Sequence, residues 1–497
     1  MTGGKSMTLS ELLQAVPPFP DLQISGLTLD SRLVKPGDIF CAIKGTQLDG
    51  QKFIEDAITR GAVAVLTDES TNKTYTVPVI TMPNLRQKIS AIGGRFYDYP
   101  AKALEIVGVT GTNGKTSCTQ FIGSALKQLN ISCGVIGTLG SGLYGNIQSG
   151  SLTTPDAFTL QKTFADWRDR GVRHVAMEVS SHGLDQGRVN DIPFTVGIFT
   201  NLTRDHLDYH GTMEAYGNAK KKLFINPLLK NAVVNYDDPF GRALIDELKQ
   251  DVFAYSMIPR TSRGTTVIGW ILANNIKQDD SGLHAEIITP WGQGELLTTL
   301  IGQFNLSNLL AVLTTLCLLK IPFEKALYGI SQLSAVPGRM ERFGGENKPL
   351  VIVDYSHTPD SLEKALKAIR LHCKGKLYCV FGCGGDRDRG KRPLMAKIAE
   401  SYADYVTVTD DNPREEDPDQ ITYDIFQGFS HSDNIILQHD RSKAIQNVIQ
   451  YAKPNDCILI AGKGAEMYQL IGDKKIPFND AEEVISALGE KSNARLD

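Results

Sequence analysis

Residues 104–129 place three features in immediate succession. They are an apolar, largely β-branched run, LEIVGV (104–109), a turn holding Gly111 and Gly114, and a helical repeat with Phe121, Ile122, Ala125, Leu126 and Leu129 on one side. A strand that runs through a glycine turn straight into a helix has to be covered by that helix, so the segment commits its surroundings to α/β layers. Further apolar runs at HVAMEV (174–179), VGIFTNL (196–202) and NAVVN (231–235), separated by helix-length stretches, predict a largely parallel sheet covered on both faces. After VPGRMERF (336–343) a second alternation begins with PLVIVDY (349–355), a helix-like 361–372 and KLYCVFG (376–382). A helix-like 393–403, DYVTVTD (404–410) and DCILIAG (456–462) continue it. This reads as a doubly wound, Rossmann-like domain. The first 100 residues carry short strand-like pieces and a helix-like segment at 53–60, and they end at the breaker Tyr99-Pro100. Single cores seldom exceed about 250 residues. The 497-residue chain is therefore expected to form three α/β domains, at 1–100, 101–338 and 339–497.

Hydrophobic content of 41% and charged content of 22% describe an ordinary globular protein. A net charge of −4 argues against a nucleic-acid binder, which usually presents a basic face. No apolar run approaches the roughly 20 residues of a membrane span, and MTGGKSMTLSELL at the start lacks the apolar core of a signal peptide. The eight cysteines are scattered with no CxxC pair, which fits small core residues in a reducing compartment. A cytoplasmic protein is expected.

The turn Gly111-Thr112-Asn113-Gly114-Lys115-Thr116 sits between strand and helix, the context that a phosphate loop requires. Its glycines let backbone N–H groups approach phosphate oxygens, and the helix N-terminus adds its positive end. Lys115 is placed to neutralise β/γ-phosphate charge, and the Thr116 hydroxyl to hold Mg²⁺. The pattern GxxxxGK[ST] needs glycine at position 109, where this chain has Val109, so GTNGKT is a distinct, shorter variant. Glu178 ends a predicted strand, where α/β sheets bind ligands. The cluster Asp205-His206-Leu207-Asp208-Tyr209-His210 reads equally as a metal site or as a hydrogen-bonded loop.

GVTGTNGKTS (108–117) resembles the ATP loop of the Mur ligase family, which is related to folylpolyglutamate synthetases. The resemblance continues through MEVSSHGL (177–184), NLTRDHLDYHG (201–211), GNAK (217–220), GQFNLSNLLA (302–311) and PGRME (337–341). It extends over DYSHTPDSLEKAL (354–366), FGCGGDRDRGKRP (381–393), DDNPREEDP (410–418) and AGKGAE (461–466). These motifs occur in the family's order and span almost the whole chain. The implied fold is an N-terminal UDP-binding α/β domain, a central ATPase-like parallel-sheet domain and a C-terminal Rossmann-like domain.

The resemblance implies an ATP-dependent amide ligase. Its subgroup adds meso-2,6-diaminopimelate to UDP-N-acetylmuramoyl-L-alanyl-D-glutamate in cell-wall precursor synthesis. Such chemistry phosphorylates a carboxylate to an acyl phosphate, which an amine then attacks, and cations must meet the charge on the transferred phosphoryl group. The implied ATP contacts are Gly111, Thr112, Asn113, Gly114, Lys115, Thr116, Ser117, Asn305, Asn308, Arg339 and Asp354. The implied Mg²⁺ set is Thr116, Glu178, His206 and Lys220. Lys220 matches the lysine that the family carbamylates with CO₂, turning a cation into an anion able to hold a second Mg²⁺. Lys115, His206 and Lys220 form the implied catalytic set. Leu29, Ser31, Thr46, Gln47 and Leu48 match contacts to uridine and pyrophosphate. Thr153, Thr154, Ser180, Gln186 and Arg188 match contacts to the muramoyl-dipeptide, with Leu152 standing where some relatives carry Asn.

The amino acid added is implied by Asp411-Asn412-Pro413-Arg414, together with Arg387, Gly462 and Glu466. Diaminopimelate has a distal carboxylate, which suits bidentate arginine, and Glu466 is a partner for its ammonium. Ala465 replaces a histidine common in relatives. The alternatives are a lysine-adding relative, a folylpolyglutamate synthetase, or, from another class, a P-loop kinase. The DNPR motif and the N-terminal LDSR segment (29–32) oppose the first two, and the third α/β domain opposes the last. A monomer is expected, with no nucleic-acid partner.

Overall fold

A computed structural model of the chain describes residues 6–14, 21–45, 48–150, 152–258, 267–279, 282–431 and 433–489. The residues group into two compact units. One comprises Met1–Thr110, Ser132–Gly197 and Ala219–Asn231, and the other Gly111–Ile131, Ile198–Asn218 and Ala232–Asp497.

In the first unit, four parallel strands pair in chain order: Gly26–Thr28, Asp38–Ala42, Ala64–Thr67 and Val79–Thr81. Strand residues alternate between faces, and the two cores divide accordingly. Ile39, Cys41, Ala64 and Leu66 pack with Leu85, Ile89, Ile92 and Phe96 of helix Leu85–Phe96. Phe40, Ala42 and Val65 pack with Ile54 and Ala57 of helix Ile54–Thr59. The same unit holds parallel strands Cys133–Gly137, His174–Glu178 and Glu105–Thr110, in that spatial order. All are apolar and buried on both faces, as a covered parallel sheet demands.

The second unit contains helix Lys115–Gln128, which follows the glycine turn, and helix Gln303–Leu318, whose side chains are buried nearly all round. Strands Val267–Asp279, Gly282–Thr289 and Gly292–Thr298 form an antiparallel meander. Its largest element is a six-stranded sheet. Strand Glu341–Gly344 lies antiparallel at one edge, and Leu350–Asp354, Cys457–Ala461, Leu377–Phe381, Tyr405–Val408 and Ile435–Leu437 follow in parallel. Ile352, Cys379, Phe381 and Leu459 face helices Pro359–Arg370, Arg392–Tyr402 and Pro418–Phe426. Val351, Val353, Val380, Ile458 and Ile460 face helices Arg441–Tyr451 and Asp480–Ala487. The sheet is therefore doubly wound, with loops gathered at the carboxyl ends of its strands. The fold class is the mixed α/β architecture expected from the strand–helix alternation. Among the described residues, no helix is long and apolar enough to cross a membrane.

Candidate active site

In the second unit, the glycine turn is braced by the segment after strand Phe194–Phe199. Thr112 N donates to Asn201 O at 2.8 Å and Asn113 N to Asn201 Oδ1 at 2.9 Å, while Thr200 Oγ1 donates to Asn113 O at 2.6 Å. Gly111 and Gly114 take φ of +150° and +89°, the left-handed side that glycine enters without steric cost. A Cβ on Gly114 would stand 2.6 Å from Asn308 Oδ1, so Asn308 backs the turn. Asn305 Nδ2 donates to Ile301 O at 2.9 Å. The Lys115 ammonium donates to Gly111 O at 2.9 Å and Thr112 O at 2.8 Å, folded onto its own loop. Thr116 and Ser117 are buried in the first helical turn. Arg339 Nη2 donates to Thr116 Oγ1 at 3.0 Å, and its guanidinium lies 4.1 Å from the Tyr355 ring centroid. Asp354 accepts from Met340 N at 2.8 Å and from the Ser356 hydroxyl. Burial raises its pKa against the opposing pull of Ser356 and Arg339.

His206 takes a left-handed φ of 54° at the start of the short helix Leu207–His210. The buried Asp205 beside it lies between two imidazoles, 3.3 Å from His206 Nε2 and 3.4 Å from His357 Nε2. Burial pushes the Asp205 carboxyl up, but the hydrogen bond and charge of His357, with His206 and Lys391, hold it well below the usual carboxylate range. His357, which the sequence suggests is structural, thereby fixes the Asp205 carboxylate.

The residues expected to seat the amino acid lie in loops at the carboxyl ends of the C-terminal strands. Lys463, which the sequence reading passes over, is fully buried and places its ammonium 2.8 Å from Glu466 Oε2 and 2.9 Å from Asn412 Oδ1. Asn412 Nδ2 also donates to Glu466 Oε2 at 2.9 Å. Gly462, with φ of +119°, lets Asp411 approach; a Cβ there would stand 2.6 Å from Asp411 Oδ2. Arg414 has a left-handed φ of 56°, and its backbone is tied to the next hairpin through Arg414 N to Leu470 O at 3.0 Å and Gly472 N to Arg414 O at 2.8 Å. Its Nη1 donates to Gly385 O at 2.8 Å, just beyond Pro413 in the adjoining loop, and to Asn412 O at 3.4 Å. Burial, followed by the like charge of Arg387, lowers the Arg414 pKa. Arg387 donates to Asp386 O at 2.9 Å. Among the described residues, neither guanidinium comes within ion-pair distance of an acidic side chain, although the charges of Asp411 and Glu466 oppose the lowering at Arg414. The nearby Glu416 is engaged elsewhere: Arg392 grips it bidentately at 2.7 and 2.8 Å, and Arg389 adds a contact at 2.6 Å.

In the first unit, Leu29, Gln186 and Arg188 line one cavity of about 170 Å³ with Ile43, Ile89, Leu152, Arg86 and Asp156. Apolar walls with a few polar groups are the usual make-up of a small-molecule site. Arg86 and Asp156 are further residues that no motif pointed to. Arg188 Nη2 donates to Gln186 Oε1 at 2.6 Å and Nη1 to Thr154 O at 2.5 Å. Thr154 Oγ1 donates to Glu178 O at 2.9 Å and accepts from Ser180 N at 2.9 Å. The Glu178 carboxylate is buried and accepts Thr138 N at 2.8 Å and Thr138 Oγ1 at 3.2 Å, and Thr138 Oγ1 lies 3.2 Å from Thr153 Oγ1. Ser31 is buried and Leu48 exposed, while Thr46 and Gln47 lie outside the described residues. Lys220 is 1% exposed, whereas Lys222 is 45% exposed and pairs with Asp185 at 2.7 Å. Lys222, just past the end of helix Met213–Lys221, is therefore solvated, and Lys220 is not. Among the described residues, no group of three or more His, Cys, Asp or Glu forms a metal cage. The expected Mg²⁺ set does not need one, since it draws on a hydroxyl, Glu178, His206 and a modified lysine.

Comparisons with known proteins identify the family. Residues 23–97 match the family model described as Mur ligase family, catalytic domain; residues 109–316 match Mur ligase middle domain; residues 338–464 match Mur ligase, glutamate ligase domain. UDP-N-acetylmuramoyl-L-alanyl-D-glutamate–2,6-diaminopimelate ligase of Coxiella burnetii is 48% identical over 473 residues, covering 94% of this chain and 96% of that protein. A solved structure of a ligase with the same name aligns with a TM-score of 0.69 and 35% identity, over 97% of this chain and 99% of that one. The MurF ligase of Thermotoga maritima, solved in complex with ADP, shares the fold with a TM-score of 0.61 at 19% identity, over 93% and 96% of the two chains. With three consecutive domain matches and near-half identity along almost its full length, the chain belongs to the Mur ligase family.

Proposed function

We propose that this chain is an ATP-dependent ligase that joins meso-2,6-diaminopimelate to UDP-N-acetylmuramoyl-L-alanyl-D-glutamate through an acyl phosphate, acting as a cytoplasmic monomer. The observation that carries the substrate choice is the Arg387 and Arg414 pair, two guanidiniums beside a glycine-lined loop cluster with no acidic partner among the described residues. A ligand carboxylate supplies the planar, bidentate acceptor that such groups are shaped for. Glu466, held by Lys463 and Asn412, presents an anion toward a ligand ammonium. The name carried by the Coxiella burnetii relative points to the same amino acid.

In this reading the domains divide near residues 100 and 338. Lys115 leaves its loop carbonyls to meet the β/γ-phosphates, and Asn305, Asn308, Arg339 and Asp354 shape the nucleotide end of the site. Thr116, Glu178, His206 and, once carbamylated, Lys220 are the residues that would hold Mg²⁺, and the ion would offset charge on the transferred phosphoryl group. Lys220 is buried, so a carbamate formed on it would be shielded from bulk water. Leu29, Gln186 and Arg188, with Thr153, Thr154 and Ser180, hold the UDP-muramoyl-dipeptide. The test is ADP release with UDP-muramoyl-dipeptide across an amino-acid panel. Release that depends on diaminopimelate supports the reading. Release with lysine in its place moves the chain to the lysine-adding relatives, and release without the UDP substrate sinks the ligase assignment.

A further inference from the structure

We infer that Arg204 and Asp388 act as a positioning pair, fastening the loop that carries Arg387 to the loop that carries Asp205 and His206. The inference rests on the proposed role of Arg387 in seating the amino acid. Arg204 Nε donates to Asp388 Oδ2 at 2.8 Å and Nη2 to Asp388 Oδ1 at 2.9 Å, the two parallel bonds of a planar fork. The residues are 184 positions apart in the chain, so the contact joins loops that no local folding brings together. Asp388 is held from its own side as well, accepting Gly390 N at 2.9 Å and capping the turn Arg389–Lys391. Its side chain is 8% exposed, while Arg204 is 42% exposed. The Arg204 hydrogen bond, opposed by burial, holds the Asp388 carboxyl below its usual pKa, so the pair is charged across the neutral range.

Other contacts also join residues before 338 to residues after it. Asn113 Nδ2 donates to Asp360 Oδ2 at 3.3 Å, and His357 approaches Asp205 at 3.4 Å. Neither of these reaches the loop of Arg387, whereas Asp388 is its immediate neighbour. A pair as exposed as Arg204 adds little to folding stability. Its effect should therefore fall on where Arg387 stands when the amine attacks, a step in which small misplacements are costly.

The test uses full-length Arg204→Ala, Asp388→Asn and the double variant. Michaelis constants are measured for ATP and for whichever amino acid drives ADP release in the wild type, alongside thermal midpoints. Each single variant is expected to raise the amino-acid KM about tenfold, with ATP KM and the midpoint near wild type. The double variant should be no worse than either single one, because one contact is lost in all three. Raising the salt concentration should weaken amino-acid binding in the wild type more than in the variants. An unchanged amino-acid KM, effects that multiply in the double variant, or a fall in midpoint alone would overturn the pair's role. A wild type that ignores diaminopimelate but uses another amino acid sinks the substrate reading and still leaves the pair testable.

Discussion

Arg414 directs its guanidinium to the backbone carbonyl of Gly385, 2.8 Å away, and not to the acidic run that follows it in the chain. Glu416 of that run is already saturated by Arg389 and Arg392. Arg414→Ala should therefore leave the thermal midpoint within a few degrees of wild type while cutting diaminopimelate turnover sharply. Leaving a buried charged group unpaired costs about 1–3 kcal/mol or more, and sites that demand a polar partner discriminate by about 10⁴. The variant should also narrow the preference for diaminopimelate over lysine. Equal use of the two amino acids by the wild type would show the pocket to be misassigned.

Lys115→Ala should lower turnover by about 10²–10³ or more, since removing one group that stabilises transition-state charge has that effect. The midpoint should change less than turnover does, because the ammonium's contacts with the carbonyls of Gly111 and Thr112 lie in its own loop and tie no distant segment. Single-turnover ADP formation is the direct measurement, and near-normal rates would take the glycine turn out of the chemistry.

Lys220→Ala should be nearly inactive and regain part of its activity in millimolar short carboxylic acids, which can enter the space left by the side chain and restore an anion. Intact-protein mass spectrometry under CO₂-rich, non-acidic conditions should find the wild type heavier by one carboxyl group. A free amine in fully active protein would end the carbamate proposal.

Glu416 supplies a prediction in pH. Its carboxyl is drawn down from 4.5 to about 2, first by the Arg392 hydrogen bonds and against the pull of burial. A depressed folded-state pKa adds stability above the unfolded value, and that stability is lost as pH falls from about 4.5 toward 2. Arg392 is fully buried and also pairs with Asp424 at 2.8 Å. Arg392→Met therefore removes a partner from both carboxylates and leaves Glu416 to Arg389; breaking a buried pair costs about 3–5 kcal/mol. The wild-type advantage in midpoint over Arg392→Met should be full at pH 7 and shrink on acidification through this window. A constant gap from pH 7 to pH 3 would mean that Glu416 is not the group responsible.

The parts of the fold that were legible in the sequence are those whose signals are local. The run 104–109 and the repeat beginning at Lys115 become strand Glu105–Thr110 and helix Lys115–Gln128, because β-branching and glycine act within a few residues. The parallel strands of the C-terminal sheet are equally visible, being apolar on both faces. The meander is not: Val267–Asp279 buries only alternate residues such as Gly269, Ile271 and Ala273, and its pairing depends on register with later strands. The three-residue strand Ile435–Leu437 at the sheet edge is too short to register as a run.

The site divides in the same way. Arg414 and Glu466 lie in recognisable motifs, but the Lys463 ammonium becomes meaningful only once Asn412 is folded against it, 51 residues away in the chain. Thr138 meets Glu178 across 40 residues and Arg204 meets Asp388 across 184, and spacing cannot announce such pairs.

The glycines beneath the loops that carry Arg387 and Arg414 bear on how this scaffold can change over time. A Cβ on Gly385 would collide with the Pro413 carbonyl oxygen, and one on Gly382 with the Thr409 carbonyl oxygen, so two loops from neighbouring strands are interlocked through bare backbone. Insertions or bulky replacements there would pry both loops apart at once. A lineage drifting toward a different amino acid is thus steered away from remodelling these loops and toward exchanging the side chains they display. Within such a lineage, new substrates would be acquired through one or two codons at positions such as Arg387 and Arg414, while the interlocked backbone passes on unaltered.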